Sequence, residues 1–238
     1  DERLTGCSQR IIGVGGSALG PQLLVSALRT PEGLTVHFLD NLDPRSVHDL
    51  IDHLKDCLES TLLIVSSKSG NTVETRQLTQ EVFRLFQQAG HKPAARAVAI
   101  TQPGSALSEK AQTEKWLGTF PIWEWVGGRF SCTSAVGLLT AGLAGADITS
   151  ILLGAREMDQ WTRQEDPALN PAARIAALWY SLGQGKGNRN WVVIPYSDRL
   201  ALLGKALQQV FMESLGKGRT RKGEVTQQGV TVYGNKGS

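Results

Sequence analysis

The segment SSKSGNTVET (66–75) carries residue types that suit the binding of an anion. It follows an apolar run that predicts a buried strand, yet eight of its ten side chains are polar and, of these, Lys68 alone is basic. A helix that begins at its end would gather the hydroxyl groups of Ser67, Ser69 and Thr72 around unpaired backbone N–H groups. Such nests of neutral donors bind oxygen-rich dianions, phosphate monoesters among them. The segment therefore predicts a phosphate site, and the alternative is an ordinary helix cap with a polar turn.

A glycine-rich loop, GVGGSALG (13–20), is a second candidate for anion binding. It follows a predicted strand and opens a predicted helix, where glycines allow a ligand to approach and the helix dipole attracts negative charge. Its G-x-G-x-x-A spacing also fits the dinucleotide-binding fingerprint, and Asp40 closes the next strand, where a ribose-binding carboxylate would lie. Three interpretations stay open: NAD binding, close strand–helix packing without a ligand, and phosphate binding helped by the Ser17 hydroxyl.

The segment GGRFSCTSAVG (127–137) presents one arginine among small and apolar residues. Arg129 lies between Gly128 and Phe130, and a mostly small or apolar helix is predicted to follow. A guanidinium fixed in such a place could hold a positive charge near a reacting group. The alternative is a surface arginine in a turn.

The segment LQQVFMESLGKG (207–218) places an amide and a carboxylate on one side of a predicted helix. Gln209 and Glu213 are four residues apart and so share a helix face. Apolar neighbours of Glu213 would raise the pKa of its carboxyl group and suit it to act as a general base. The alternative is an exposed Glu213–Lys217 ion pair, worth about a few tenths of a kcal/mol.

The composition argues against several classes of partner. The chain has 238 residues, 41 % of them hydrophobic and 20 % charged, which is typical of a globular protein with a core. A net charge of +3 is too weak to favour nucleic acid or a membrane surface, and the basic run KGRTRK (217–222) is interpreted as a solvated loop. The spacing of histidine and cysteine predicts no metal site. Three scattered cysteines favour a reducing compartment, so we expect a cytoplasmic location.

Short runs rich in Val and Ile alternate with helical patterns along the chain. This rhythm predicts an α/β fold with parallel sheets covered by helices, which binds ligands at the carboxyl ends of its strands. Strands are predicted at 10–14, 35–39, 61–66, 95–100, 119–122 and 191–195, with one more near residue 232. Helices are predicted at 17–28, 44–58, 72–89, 134–144, 148–161, 172–182 and 200–215, and the predicted linker is 163–171.

The four motifs occur in an order that is far more specific than any of them alone. GVGGSALGP, SSKSGNTVET, GGRFSCTSAVG and MESLGKG together resemble the phosphoglucose isomerase family, most closely its bacterial branch, over nearly the whole chain. The resemblance implies two doubly wound α/β domains of the sugar-isomerase (SIS) type, at 6–157 and 158–238, the second incomplete. It implies reversible interconversion of glucose 6-phosphate and fructose 6-phosphate without metal or organic cofactor, in a homodimer. The NAD interpretation loses weight accordingly.

The resemblance also implies roles for individual residues. Those that match the family's substrate-binding positions are Gly16, Ser17, Ser67, Lys68, Ser69, Thr72, Gly128 and Gln209. Glu213 matches the base that moves a proton between C2 and C1 of the open-chain sugar through a cis-enediol(ate). Arg129 matches the arginine that stabilises the negative charge on this intermediate. Asn71 stands where many members carry threonine, and we expect little consequence.

Two family residues have no counterpart in this sequence. The ring-opening histidine follows a GNKGS-like stretch and a lysine lies near the far C-terminus, whereas the sequence ends at Ser238; the four histidines present match neither context. We therefore expect a fragment that is weak or inactive by itself, with an exposed sheet edge and apolar surface in its second domain. Two alternatives remain. One is a non-catalytic sugar-phosphate-binding protein of the same domain type, which would not need Glu213 and Arg129 together; the other is an isomerase that also accepts mannose 6-phosphate.

Overall fold

The computed structural model of the chain describes residues 10–14, 18–185, 187 and 189–237. The chain divides into two compact units, residues 1–146 and 147–238, and each is described by itself. The first unit contains the predicted phosphate segment and Arg129, and the second contains Gln209 and Glu213. Two predicted site residues, Gly16 and Ser17, lie outside the described residues.

The first unit is built on a five-stranded sheet in which every pair of neighbouring strands is parallel. Its strands are β1 (Arg10–Val14), β2 (Thr35–Leu39), β3 (Thr61–Ser66), β4 (Ala97–Thr101) and β5 (Gly118–Pro121), in the spatial order β2-β1-β3-β4-β5. From β1 the chain moves to β2 on one side and then crosses to β3 on the other, so the order reverses between β1 and β3. Ligands of open α/β sheets bind at such a switch point, outside the carboxyl ends of the strands.

Helices cover both faces of this sheet. They are α1 (Leu19–Leu28), α2 (Pro44–Leu54), α3 (Val73–Gln88), α4 (Ala106–Thr113) and α5 (Ala135–Leu143), with 3-10 turns at Lys55–Ser60, Pro93–Arg96 and Gly128–Thr133. Successive side chains of a strand point to opposite faces. In β3, Leu63 and Val65 therefore pack among residues of α2, α3 and α4, whereas Ile64 packs with residues of α5. Helices therefore pack on both faces of the sheet, and its carboxyl edge is where a ligand is expected.

The helices that begin at this edge differ in how they start. Ser105 caps α4 by accepting a hydrogen bond from the N–H of Ser108 at 3.1 Å, and Ser134 caps α5 through the N–H of Val136 at 3.3 Å. A cap of this kind stabilises a helix by about 1 kcal/mol. Thr72 occupies the same position of α3, but its side chain accepts no such bond. The first turn of α3 therefore has no side-chain cap at the edge where a ligand is expected.

The second unit combines three helices with short strands. They are α6 (Ile148–Thr162), α7 (Pro171–Leu182), α8 (Leu203–Leu215), the parallel pair β6 (Asn190–Val192) and β9 (Thr231–Tyr233), and the antiparallel pair β7 (Lys217–Arg219) and β8 (Val225–Gln228), with a 3-10 turn at Asp198–Leu200. The rings of Trp179, Trp191 and Phe211 meet with centroids 4.7–5.2 Å apart, a separation at which aromatic pairs attract. They join α7, β6 and α8, and so hold the helix that carries Gln209 and Glu213.

The predicted α/β fold with parallel sheets and flanking helices is confirmed, and β1, β2 and β3 have their predicted bounds. The strand predicted at 191–195 is observed at Asn190–Val192, the helix predicted at 200–215 begins at Leu203, and other bounds differ by one or two residues. Three differences are larger. The helix predicted at 44–58 ends at Leu54 and continues as a 3-10 turn, α4 was not predicted, and the basic segment predicted as a loop forms β7 and the turn of a hairpin. Cys57 is disulfide-bonded, which the scattered cysteine spacing does not predict.

The division between the two units falls before α6, between Ala146 and Asp147. Helix α6 is continuous and contacts α7, which explains its place in the second unit. The predicted ranges, 6–157 and 158–238, place most of this helix in the first domain instead. As a division of the whole protein, those ranges remain a prediction.

Candidate functional site

The loop between β3 and α3 lies at the switch point of the sheet and contains most of the predicted phosphate-binding side chains. Ser67 is buried, and its hydroxyl oxygen accepts a hydrogen bond from the N–H of Gly70 at 3.1 Å and lies 3.4 Å from the hydroxyl of Thr72. The hydroxyl oxygen of Ser69 accepts from the N–H of Asn71 at 3.1 Å. Hydroxyl groups of the loop thus accept hydrogen bonds from the loop's own backbone. Ser69 and Thr72 are exposed beside the start of α3.

Gly70 allows this loop its shape. Its φ of +74° is a conformation that L side chains rarely adopt, and a Cβ atom there would lie 2.3 Å from the backbone nitrogen of Leu107. The loop therefore contacts the first turn of α4 at a point where no side chain fits.

The loop is supported by Thr101 and Ser105, two residues that the sequence analysis did not single out. Thr101 ends β4 and is fully buried, and its hydroxyl donates to the carbonyl oxygen of Ser67 at 2.6 Å. The hydroxyl oxygens of Thr101 and Ser105 lie 2.7 Å apart, and Ser105 in turn caps α4. A chain of hydrogen bonds therefore runs from α4 through β4 to the loop. The sequence signal was a hydroxyl residue at the end of the strand that neighbours β3.

Lys68 connects this loop to the segment after β5. Its ammonium group donates to the carbonyl oxygen of Glu124 and, at 3.1 Å, to that of Val126. Its own backbone carbonyl accepts from the N–H of Gln102 at 3.1 Å, beyond β4. Lys68 thus ties together the loops that follow three neighbouring strands.

Arg129 lies in the 3-10 turn that follows this segment and is half-buried. The turn is closed by a hydrogen bond from the N–H of Phe130 to the carbonyl of Gly127 at 3.0 Å, and by one from the hydroxyl of Ser131 to the carbonyl of Gly128 at 2.7 Å. These bonds fix the backbone on both sides of the guanidinium-bearing residue. A cleft of about 610 Å³ opens beside the turn; it is lined mainly by Pro121, Trp123, Trp125, Val126, Phe130 and Leu138.

Gly20, at the end of the glycine-rich segment, supports the interpretation of close packing. A Cβ atom at Gly20 would lie 2.5 Å from the sulfur of Cys132, so α1 approaches the Arg129 turn through this glycine. Burial raises the pKa of the Cys132 thiol. Asp40, the carboxylate that the NAD interpretation needs, accepts a hydrogen bond from the side-chain amide of Gln22 at 2.9 Å.

Gln209 and Glu213 lie on α8 in the second unit, four residues apart on one helix. Gln209 is half-buried and Glu213 is exposed, as are Met212 and Leu215, so within this unit the apolar surroundings predicted for the carboxylate are absent. The helix ends at Leu215, and Lys217 therefore belongs to β7. It donates instead to the carbonyls of Ser214 and Gly216, so the helical ion pair considered as an alternative does not describe it.

The structure thus brings four predicted residues, Ser67, Lys68, Ser69 and Thr72, into one loop, and Lys68 links that loop to the turn of Gly128 and Arg129. Among the described residues, no group of three or more His, Cys, Asp or Glu could hold a metal ion. No helix in the described part of the chain is long and apolar enough to cross a membrane.

Comparison with known proteins places these motifs in one family. The model of the phosphoglucose isomerase family matches residues 9–238. Two relatives named glucose-6-phosphate isomerase, from Citrifermentans bemidjiense and Synechococcus elongatus, are 51 % and 53 % identical to this chain over 96 % and 95 % of its length. The chain spans 43 % of the length of each of these relatives.

Solved structures agree with this assignment. A glucose-6-phosphate isomerase from Chlamydia trachomatis superimposes with a TM-score of 0.84 at 30 % identity, over 99 % of this chain and 46 % of its own. A hypothetical protein from Thermus thermophilus gives a TM-score of 0.85 at 31 % identity, over 99 % of this chain and 55 % of its own. With the family model matching nearly every residue, the chain belongs to the phosphoglucose isomerase family.

Proposed function

We propose that this chain carries the sugar-phosphate loop and the proton-transfer residues of a glucose-6-phosphate isomerase, which interconverts glucose 6-phosphate and fructose 6-phosphate. The observation that supports this most is the hydroxyl-lined loop of Ser67, Ser69 and Thr72 at the switch point of the sheet. The activity is proposed for the whole protein, because the chain covers less than half of the relatives named for it.

Phosphate binding is proposed for the β3–α3 loop. Its hydroxyl groups and the N–H groups in the first turn of α3 are neutral donors, and the helix dipole adds a partial positive charge where the dianion would sit. Gly16 and Ser17, which follow β1 in the sequence, are proposed as further phosphate-binding residues on the strength of the family alone. Neutral donors suit this site because substrate and product carry the same phosphate group, and the product must dissociate after each turnover.

Proton transfer is proposed for Glu213. Its carboxylate takes the proton from C2 of the open-chain aldose and returns it to C1, while a proton moves from O2 to O1, so that no electrons leave the sugar. Arg129 is proposed to face the oxygen that gains negative charge in the cis-enediol(ate), where a fixed cation lowers the barrier. Gln209, one turn before Glu213 on α8, would contact the sugar hydroxyls, and Gly128 would let the backbone approach the sugar.

A homodimer and a cytoplasmic location are also proposed for the whole protein, on the strength of the family alone. The proposed reaction needs no metal or organic cofactor, because the same side chain removes and returns the proton.

Thermal unfolding with and without fructose 6-phosphate tests the phosphate site. A ligand at about 100 times its dissociation constant stabilises the folded state by about 2.7 kcal/mol. We expect an increase in the unfolding temperature of the 238-residue chain, and none with fructose, which lacks the phosphate group. The double variant Ser67→Ala/Thr72→Ala should fold but lose most of the increase.

The outcomes separate the loop from the rest of the proposal. An increase that survives in the double variant would place the phosphate elsewhere. No increase in the wild-type chain, repeated with inorganic phosphate, would refute phosphate binding by this part of the protein.

A further inference from the structure

Lys68 makes contacts that differ from those of a phosphate ligand. Two of the three N–H bonds that an ammonium group offers are directed to the backbone carbonyls of Glu124 and Val126, 56 and 58 residues further along the chain. Both acceptors belong to the segment that leads from β5 into the Arg129 turn. The ammonium group of the predicted phosphate loop is therefore hydrogen-bonded to the backbone of another loop.

The segment that Lys68 holds is otherwise attached at its ends. Ile122 and Val126 are buried in the core on the α5 side of the sheet, and the N–H of Ile122 donates to the carbonyl of Thr101 at 2.9 Å. Between them, Trp123 and Trp125 are exposed at 55 % and 82 %. These aromatic side chains have little packing of their own. The hydrogen bonds from Lys68 therefore help to hold the backbone of the stretch that precedes Gly127.

The backbone of Lys68 is itself fixed. The N–H of Ser67 donates to the carbonyl of Ile100 at 3.1 Å, and the carbonyl of Lys68 accepts from Gln102. A side chain that starts from a hydrogen-bonded backbone and ends on two carbonyls of another loop limits the separation of the two loops. Hydrogen bonds from a charged donor contribute more than neutral ones, so this contact favours one arrangement of the two loops.

We infer that Lys68 is a positioning residue: it ties the phosphate loop to the Gly127–Arg129 turn, and it is not the group that hydrogen-bonds the phosphate. The inference rests on the proposed function for its catalytic meaning, since the turn matters to the reaction only if Arg129 does. Its structural part, the tie between the loops, does not depend on any ligand.

Fluorine NMR of the 238-residue chain labelled with 5-fluorotryptophan tests the tie. Trp123 and Trp125 each come directly before one of the two acceptor residues, Glu124 and Val126, and their resonances can be assigned by Trp→Phe substitution. In Lys68→Met we expect both resonances to shift or broaden while those of Trp179 and Trp191 stay in place. Lys68→Arg keeps the charge and the donors and should keep the wild-type spectrum more closely than Lys68→Met. Should Lys68→Met not fold, Lys68→Gln, which keeps one donor group, should give smaller shifts of the same two resonances.

Titration with inorganic phosphate tests the second part. Loss of a charged hydrogen bond to the anion would weaken binding about tenfold or more, whereas loss of a nearby charge alone should cost less than about fivefold. We expect Lys68→Met to show the smaller effect and Ser67→Ala/Thr72→Ala the larger one. Lys55→Met, which removes an exposed charge elsewhere, is the matched control.

Either of two results would overturn the inference. One is an unchanged pair of Trp123 and Trp125 resonances in Lys68→Met. The other is a loss of phosphate affinity in that variant as large as in the double hydroxyl variant. A wild-type chain that binds no phosphate would count against the proposed function instead, and the fluorine spectra would still decide whether Lys68 joins the two loops.

Discussion

Replacement of Thr101 by valine removes one hydroxyl group and almost nothing else. The side chain is fully buried at the end of β4, and valine has the same shape. The change deletes the donor to the carbonyl of Ser67 and, at 3.2 Å, to that of Lys68, and it breaks the contact with Ser105. Since the carbonyl of Lys68 keeps its bond from the N–H of Gln102, one backbone acceptor, that of Ser67, loses its short bond.

The cost follows from these two losses. A buried acceptor left without a donor costs about 1–3 kcal/mol, and the lost contact between hydroxyl groups adds about 0.5–1.5 kcal/mol. Together they predict a destabilisation of roughly 1.5–4.5 kcal/mol. For a unit of this size that corresponds to a decrease in the unfolding temperature of about 5–15 °C.

Thr79→Val is the matched control. The hydroxyl of Thr79 is also buried and donates to a backbone carbonyl, that of Thr75, at 2.7 Å. That carbonyl lies one turn earlier in α3 and keeps its helical hydrogen bond, so its loss should cost clearly less than that of Thr101. Urea unfolding of both variants gives the comparison. A Thr101→Val variant no less stable than Thr79→Val would show that the hydroxyl chain does not hold the loop.

Three further predictions concern single contacts. Gly70→Ala should destabilise the first unit by about 2–4 kcal/mol, because a positive φ is strained for alanine and its Cβ would overlap the backbone of α4. Gly20→Ala should cost about 1–3 kcal/mol through overlap with the sulfur of Cys132. The hydrogen bond from Arg84 lowers the pKa of the Glu81 carboxyl below 4.5, so the contribution of this group is complete above that value and is lost as the pH falls through the lower folded-state pKa. The difference in urea midpoint between wild type and Glu81→Gln should therefore become smaller as the pH is lowered from about 7 to about 3.

Each of these changes has a control. Gly90 also has a positive φ, but a Cβ atom there meets nothing within 4 Å, so Gly90→Ala should be milder than Gly70→Ala, and equal effects would exclude the overlap with α4. The double change Gly20→Ala/Cys132→Ala should recover part of the loss, and an additive result would show that the sulfur is not the obstacle. In an Arg84→Met background, which lacks the donor to Glu81, the effect of Glu81→Gln should depend less on pH, and an unchanged dependence would show that the bond from Arg84 is not its cause.

The sheet of the first unit could be predicted well because its strands are short apolar runs with clear ends. Helix α4 was missed, since ALSEKAQT has no long apolar stripe and only Leu107 and Ala111 mark its buried side. The hairpin at 217–228 was missed because basic and glycine residues are typical of loops, and the pairing depends on the turn at Gly223.

The site was predictable where it is local. Ser67, Ser69 and Thr72 share one loop, and the sequence alone places them together. The bond from Lys68 to the carbonyl of Val126 spans 58 residues and carries no signal in either segment. The support from Thr101 was missed for a similar reason, since its meaning appears only when β4 is known to lie beside β3.

The position of β1 between β2 and β3 bears on how this unit folds. Residue 10 is aligned with Thr35 on one side and with Thr61 on the other, so both partners of β1 come later in the chain. During synthesis one edge of β1 remains open until β3 has left the ribosome, and pairings between distant parallel strands are slow to form and prone to intermolecular association. The loop that follows β3 also needs its partners at the end of β4 and in the segment after β5, which leave the ribosome later still. Helices such as α3 should therefore gain their structure earlier in refolding than the loop gains its hydrogen bonds.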